Sequence, residues 1–337
     1  MDDHALEAAR LRIYALQDGA VRAQALTFCL RSGLFERLAG GPLAPADLGL
    51  PGRVAPALLA FLASQGLLAR DEAGRVSATP EAKAFLVRSS PHFVGGRALL
   101  FSGFHDRIGR LGETLASGEP IASSGQAELF GGLDAEAQRW FAEGMLANAA
   151  AGAAHLMSEL DFRGFARLLD VGGNAGGYAL PLLEANPGLR ATIFDLPGVR
   201  ALADERIAEG RLQERCRFVA GSFFDDPLPS GHDVALLANV LHDWETDECR
   251  QILAACARAL DPGGTIIVTE PMLAEDLSGP EHAAVSGLTM ALLGGENRTQ
   301  PQIGGLLGEA GFERNWCSPP GAQNSIVTAR KAGGDEP

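Results

Sequence analysis

Tyrosine is scarce in this sequence, two residues against 16 phenylalanines, so most aromatic positions carry no hydroxyl. Cysteine is sparse as well. The five residues Cys29, Cys216, Cys249, Cys256 and Cys317 are scattered, with no Cys-x-x-Cys pair. In a chain of 337 residues this reads as reduced thiols in a cytoplasmic compartment, packing as small hydrophobes. Basic residues are the minority, 28 Lys and Arg against 42 Asp and Glu, for a net charge of −14. That balance argues against nucleic acid or an anionic membrane as the main partner. Residues 1–90 hold 9 acids against 10 bases, which leaves 33 against 18 in the remainder, so the acidity belongs to the C-terminal part. No apolar run approaches the roughly 20 residues needed to span a bilayer. The opening Met-Asp-Asp-His-Ala-Leu-Glu has neither the basic nor the apolar region of a secretion signal. The expectation is a soluble, cytoplasmic protein with no membrane and no nucleic-acid partner.

What is present suffices for a large core: 46% of residues are apolar and 21% charged, and the length favours two domains. Apolar positions at helical spacing over residues 5–38 predict two helices, broken at Gly40, Gly41 and Pro42. A helix over Val54–Gln65 follows, and then Leu67–Arg70 and Arg75–Ala78 read as a hairpin around Asp71-Glu72-Ala73-Gly74. Helices followed by a hairpin suggest a winged-helix module. The Val54–Ala63 stretch is apolar where a DNA-reading helix would be basic, so it suits a protein interface. Helices are expected over Phe93–Leu115 and Asp134–Leu160, the second running toward the next domain.

From Phe165 onward short apolar runs alternate with helical patterns. Strand candidates are Arg167–Val171, Ala191–Phe194, Arg217–Ala220, Val234–Asn239, Thr265–Thr269, a stretch at Trp316 and Ser325–Ala329. This rhythm predicts an α/β fold with a largely parallel sheet covered on both faces, the last pair antiparallel.

The first of these strands ends in Gly172-Gly173-Asn174-Ala175-Gly176-Gly177. A pyrophosphate-binding turn places glycine where Asn174 stands, so the spacing suits an adenosyl cofactor without a pyrophosphate better. Asp195, at the tip of the second strand, is placed to accept hydrogen bonds from both ribose hydroxyls. His242 follows the fourth strand, at the sheet edge that faces the ligand in doubly wound folds, where a neutral imidazole can take a proton. Glu270 ends the fifth strand on that same edge, where its carboxylate could orient and stabilise the imidazolium.

Leu169-Asp170-Val171-Gly172-Gly173, Phe194-Asp195-Leu196-Pro197, Leu241-His242-Asp243-Trp244 and Arg298-Thr299 together resemble the small-molecule O-methyltransferases related to caffeic acid and hydroxyindole enzymes. The resemblance implies a Rossmann-like class I methyltransferase domain with a seven-stranded, mostly parallel sheet and S-adenosylmethionine as donor. It also implies an N-terminal winged-helix domain that builds a homodimer. The boundaries follow as residues 1–95 for dimerisation, 96–160 for bridging helices that line the substrate pocket, and 161–332 for catalysis.

Carried over by position, His242 is the general base and Glu270 one of two flanking acids. The other place holds Asn297, which can hydrogen-bond the imidazole but adds no charge, with Glu296 one residue earlier. Gly172, Asp195, Leu196, Ser222, Phe223, Asn239 and Trp244 form the implied cofactor set, Ser222 replacing an acid common in the family. Met145, Asn148 and Met290 fall where the family lines its acceptor pocket, and no metal is implied. A small aromatic or polyketide-like hydroxyl is the expected acceptor. Three alternatives stay open from sequence: a C- or N-methyltransferase on this scaffold, a different reaction using the sulfonium only as a charge, and a winged-helix regulator.

Overall fold

The structure is a computed structural model that describes residues 2–90, 92–102, 104–121, 135–319, 321 and 324–332. The chain divides into two compact units, Met1–Phe104 and His105–Pro337.

The first unit holds helices α1 (Asp3–Gln17), α2 (Gly19–Arg31), α3 (Leu34–Ala39), α4 (Ala55–Ser64), α5 (Pro80–Leu86) and α6 (Gly95–Ser102). Residues 5–38 therefore give three helices where two were expected. Gly33 adopts φ +64°, a left-handed conformation that closes α2 and starts α3. Strands β1 (Leu68–Arg70) and β2 (Val76–Ala78) pair antiparallel as the expected hairpin, closed by Asp71 and Arg75 with Gly74 at φ +78°. Helix α6 packs on α2, where the Thr27 hydroxyl donates to the Ala98 carbonyl, so the first unit extends beyond residue 95.

In the second unit α7 (His105–Gly109) and α8 (Leu111–Ser117) precede the long helix α9 (Ala135–Glu159). The glycine-interrupted helical stretch expected over Phe93–Leu115 is three short helices, the last two separated at Arg110 by a non-helical backbone (φ −99°, ψ 6°) after Gly109. The sheet is built from β3 (Arg167–Val171), β4 (Arg190–Asp195), β5 (Cys216–Ala220), β6 (His232–Ala238), β7 (Leu260–Glu270), β8 (Phe312–Cys317) and β9 (Ser325–Lys331). Its order is β5-β4-β3-β6-β7-β9-β8, with β9 antiparallel to both neighbours and the rest parallel. Helices α10 (Ala179–Ala185), α11 (Arg200–Glu209), α12 (Thr246–Ala259), α13 (Glu281–Leu293) and α14 (Gln300–Glu309) complete the unit.

Strand alternation splits the core in two. Leu169, Val171, Phe194, Ala235, Leu237, Ile266 and Val268 pack on one face. Leu168, Ile193, Val234, Leu236 and Ile267 pack on the other. Successive side chains in a strand point to opposite faces, and both faces here are covered, which is why the strands are apolar throughout. The strand order reverses between β3 and β6, the switch point at whose carboxyl ends doubly wound folds place their ligand crevice. No helix among the described residues is long and apolar enough to cross a membrane.

Candidate active site

The glycine turn after β3 is held from below and from the side. Gly172 has φ +70°, and a Cβ there would lie 2.8 Å from Val240 Cγ2. A Cβ on Gly173 would lie 2.6 Å from the Asp170 carboxylate, and one on Gly176 would lie 2.9 Å from Ile193 Cδ1. The turn therefore rests on Ile193 of β4, and Ile193→Ala would cost about 2–5 kcal/mol by opening a cavity beneath it. Asn174 takes a left-handed conformation at φ +49°, which asparagine tolerates better than most residues.

Asp195 does more than end β4. Its Oδ2 accepts the Asn174 amide at 2.7 Å and its Oδ1 accepts the Leu196 amide at 2.6 Å. Burial raises its pKa, and the two amides oppose that shift. Each oxygen keeps acceptor capacity, so the carboxylate can still take a vicinal diol. Leu196 beside it is 40% exposed.

At the tip of β5 the Ser222 hydroxyl accepts the Phe224 amide at 3.3 Å, while the Ser222 amide donates to Asp226 at 2.9 Å. Phe223, Phe224 and Trp244 meet edge-on, with ring centroids 4.7–5.6 Å apart. The cluster offers flat apolar faces suited to a purine. Asn239, after β6, has φ +54° and donates its amide to the Thr269 carbonyl. Its side-chain oxygen accepts from Asn324 at 2.8 Å, and the Tyr178 hydroxyl bonds both asparagines. These groups stand along the carboxyl edge of one sheet, and the tight turn with a diol-accepting acid fits an adenosyl cofactor.

His242 sits on a one-turn helix, Leu241–Asp243, and is buried. Burial, with the Arg298 charge second, lowers its pKa to about 4, so the imidazole is neutral at pH 7. Glu270 was expected to orient that ring. In the structure its Oε2 accepts the main-chain amide of His242 at 3.2 Å instead. The cause is register: Ala238 pairs with Thr269, which sets Glu270 level with the backbone that leaves β6. The carboxylate nearest the ring belongs to Asp243, whose Oδ1 is 3.6 Å from His242 Nε2. Burial raises Glu270 to about 7, and burial followed by the Glu270 charge raises Asp243.

Asn297 was expected to hydrogen-bond the imidazole. Its side-chain amide instead donates to the Ala283 carbonyl of α13 at 3.0 Å. Glu296 is half-exposed and lies 3.1 Å from Arg298. Met145 and Met290 are half-buried on α9 and α13, and the side chain of Asn148 lies outside the described ones. Sequence reasoning missed Asp243 and Arg298 as neighbours of His242, although both lie in the motifs it quoted. Among the described residues no cluster of His, Cys, Asp and Glu could hold a metal ion.

Residues 125–313 match the model of a family described as the O-methyltransferase domain. The chain is 36% identical over 331 residues to 3-hydroxy-5-methyl-1-naphthoate 3-O-methyltransferase of Streptomyces sahachiroi, covering 94% of each. It is 33% identical over 298 residues to the tetracenomycin polyketide synthesis 8-O-methyl transferase of Streptomyces glaucescens, covering 86% of this chain and 87% of that one. Among solved structures it is similar to human N-acetylserotonin methyltransferase in complex with SAM, with a TM-score of 0.88 at 26% identity over 98% of this chain and 99% of that one.

Proposed function

We propose a function from one premise, that this chain belongs to the S-adenosylmethionine-dependent O-methyltransferase family. The protein transfers a methyl group from S-adenosylmethionine to a hydroxyl of a small aromatic, polyketide-like acceptor, with His242 as general base. The observation that carries the base assignment is a neutral, buried imidazole on the crevice edge, one turn beyond the β3–β6 switch point.

Bound S-adenosylmethionine supplies an electrophilic methyl on a sulfonium. Gly172 and Asn174 would admit it closely, Asp195 would accept its ribose hydroxyls, and Leu196, Ser222, Phe223, Asn239 and Trp244 would border the rest. Met145, Asn148 and Met290 would line the acceptor side. His242 takes the proton from the acceptor hydroxyl as the oxygen–methyl bond forms and the sulfur–methyl bond breaks. General-base assistance of this kind contributes about 10²–10⁴-fold, and alignment of the two reactants supplies most of the rest. Glu270 and Asn297 act at one remove, through the His242 main chain and through α13.

The test is incubation with labelled S-adenosylmethionine and a panel of hydroxynaphthoates and hydroxylated polyketides, with product mass and methyl position read out. His242→Ala should lower turnover strongly while S-adenosylhomocysteine affinity stays near wild type. Unchanged turnover would rule out the base.

The homodimer is part of the same reading. Helix α1 has no buried residue, although Leu6, Leu11, Ile13, Tyr14 and Leu16 stand on it, each at least half exposed. Phe28 and Val54 are also exposed, and with Ala25, Leu50, Pro51 and Leu58 they line a wholly apolar depression. Apolar surface of this extent marks an interface, and a second copy of the chain covers it; sedimentation at several concentrations checks the mass. The five cysteines are free thiols, which suits the cytoplasm.

A further inference from the structure

We propose that Arg298 is a positioning residue for His242, a buried two-pronged clasp that fixes both ends of the turn on which the base is carried. It rests on the reading of His242 as base.

Arg298 is 2% exposed and is a very large side chain to be so fully enclosed. One prong, Nη1, donates to the Leu241 carbonyl at 3.0 Å and to the Glu296 carbonyl at 3.3 Å. The other, Nη2, donates to the Trp244 carbonyl at 3.0 Å and to Thr246 Oγ1 at 3.4 Å. Leu241 and Trp244 bracket the His242-Asp243 dipeptide, so one rigid planar group holds the entry and the exit of the turn. An ammonium is a point charge on a flexible stem and cannot span both carbonyls in a fixed plane.

The segment bearing Arg298 is itself pressed onto the turn. A Cβ on Gly295 would collide with the His242 carbonyl, and that carbonyl accepts the Glu296 amide at 2.9 Å. At its other end the Leu273 amide donates to the Arg298 carbonyl. The clasp therefore cannot be replaced by a shift of the segment.

Its charge matters as well as its shape. The ionisable groups around the turn are Asp243 on it, Glu270 beneath it, Arg298 and Glu296 above it, Cys249 of α12, and Glu281 and His282 on α13, which packs against it. The guanidinium opposes protonation of the imidazole and offsets the buried Glu270 carboxylate.

The experiment compares Arg298→Lys and Arg298→Gln in the full-length enzyme, reading kcat against pH and S-adenosylhomocysteine affinity. In both the plateau kcat should fall about 10–100-fold, the scale of a misplaced catalytic group. The acid limb should stay in place for the lysine, which keeps the charge, and move up by about one pH unit for the glutamine. A plateau within twofold of wild type in both variants overturns the proposal. Should neither variant fold, ¹⁵N spectra of the unaltered protein decide. Separate, slowly exchanging Nη–H signals for Arg298 support the clasp, and one rotationally averaged signal overturns it. An active His242→Ala enzyme sinks the base reading, whereas an inactive one beside active Arg298 variants sinks the clasp alone.

Discussion

The Asn174 amide donates to Asp195 Oδ2 across a gap of 21 residues, at 2.7 Å. The acid that the sequence offers as a ribose acceptor is thus also the anchor of the left-handed turn, so the proposed cofactor contact and the turn geometry would share one carboxylate.

Asp195→Asn keeps the size but turns one acceptor into a donor, leaving either the Asn174 or the Leu196 amide without its partner. The ribose hydroxyl that would meet that oxygen also loses a hydrogen bond to a charged acceptor, worth about 1.5–3 kcal/mol, so S-adenosylhomocysteine affinity measured by calorimetry should weaken about 10- to 150-fold. An affinity equal to wild type would dismiss both roles.

Stability should depend on pH in an unusual direction. Burial raises Asp170 and Glu270 to about 7 each and raises Asp243, so the folded chain holds protons on these acids that the unfolded chain releases above about pH 4.5. Their contribution is complete below the unfolded carboxylate range and is lost as pH rises through 7. His242, lowered to about 4, acts oppositely: its contribution is present above 6.5 and is lost as pH falls toward 4. Three groups outweigh one, so the ligand-free protein should melt higher at pH 5.5 than at pH 8. Among the described residues neither oxygen of Asp170 has a partner at hydrogen-bond geometry, though the Ala179 amide nearby partly opposes the rise. Asp170→Asn should therefore raise the melting point at pH 8, by about 2–4 °C for each kcal/mol recovered, and flatten the pH slope. A lower melting point at pH 8 would contradict the linkage.

Asn297→Asp sets a carboxylate oxygen against the Ala283 carbonyl that now accepts the amide. The contact becomes repulsive, and α13 carries Met290. The acceptor KM should rise several-fold more than the S-adenosylhomocysteine Kd. Equal changes in both would mean that the tie to α13 does not serve the acceptor.

Tyr178→Phe removes one hydroxyl and nothing else. That hydroxyl bonds Asn239 and Asn324 and lies against the α9 backbone at Gly152. The loss should lower the melting point and, because Asn239 loses a restraint at φ +54°, weaken cofactor affinity by about three- to tenfold. If the melting point falls while affinity holds, the trio is structural only.

The sheet, the glycine turn, Asp195 and the position of His242 were legible because each rests on local chemistry: apolar runs, glycine spacing, an acid or imidazole at a strand tip. The partners were not. Arg298 reaches Leu241 across 57 residues and Asn324 reaches Asn239 across 85, distances over which sequence carries no spacing signal. Glu270 was placed on the right strand end, but whether it met the ring or the backbone of His242 depended on a one-residue register that only the paired strands define. Asn297 had a side chain able to serve the imidazole, and the Ala283 carbonyl of α13 took its amide instead.

Helix α1, fifteen residues with nothing buried, has a thermodynamic consequence. A helix of that length is marginal in water by itself, so its order depends on what covers its apolar residues. If a second copy supplies that cover, the folded state of this segment is coupled to mass action. Its melting then shifts with protein concentration, and dilution loosens the N-terminus before the sheet.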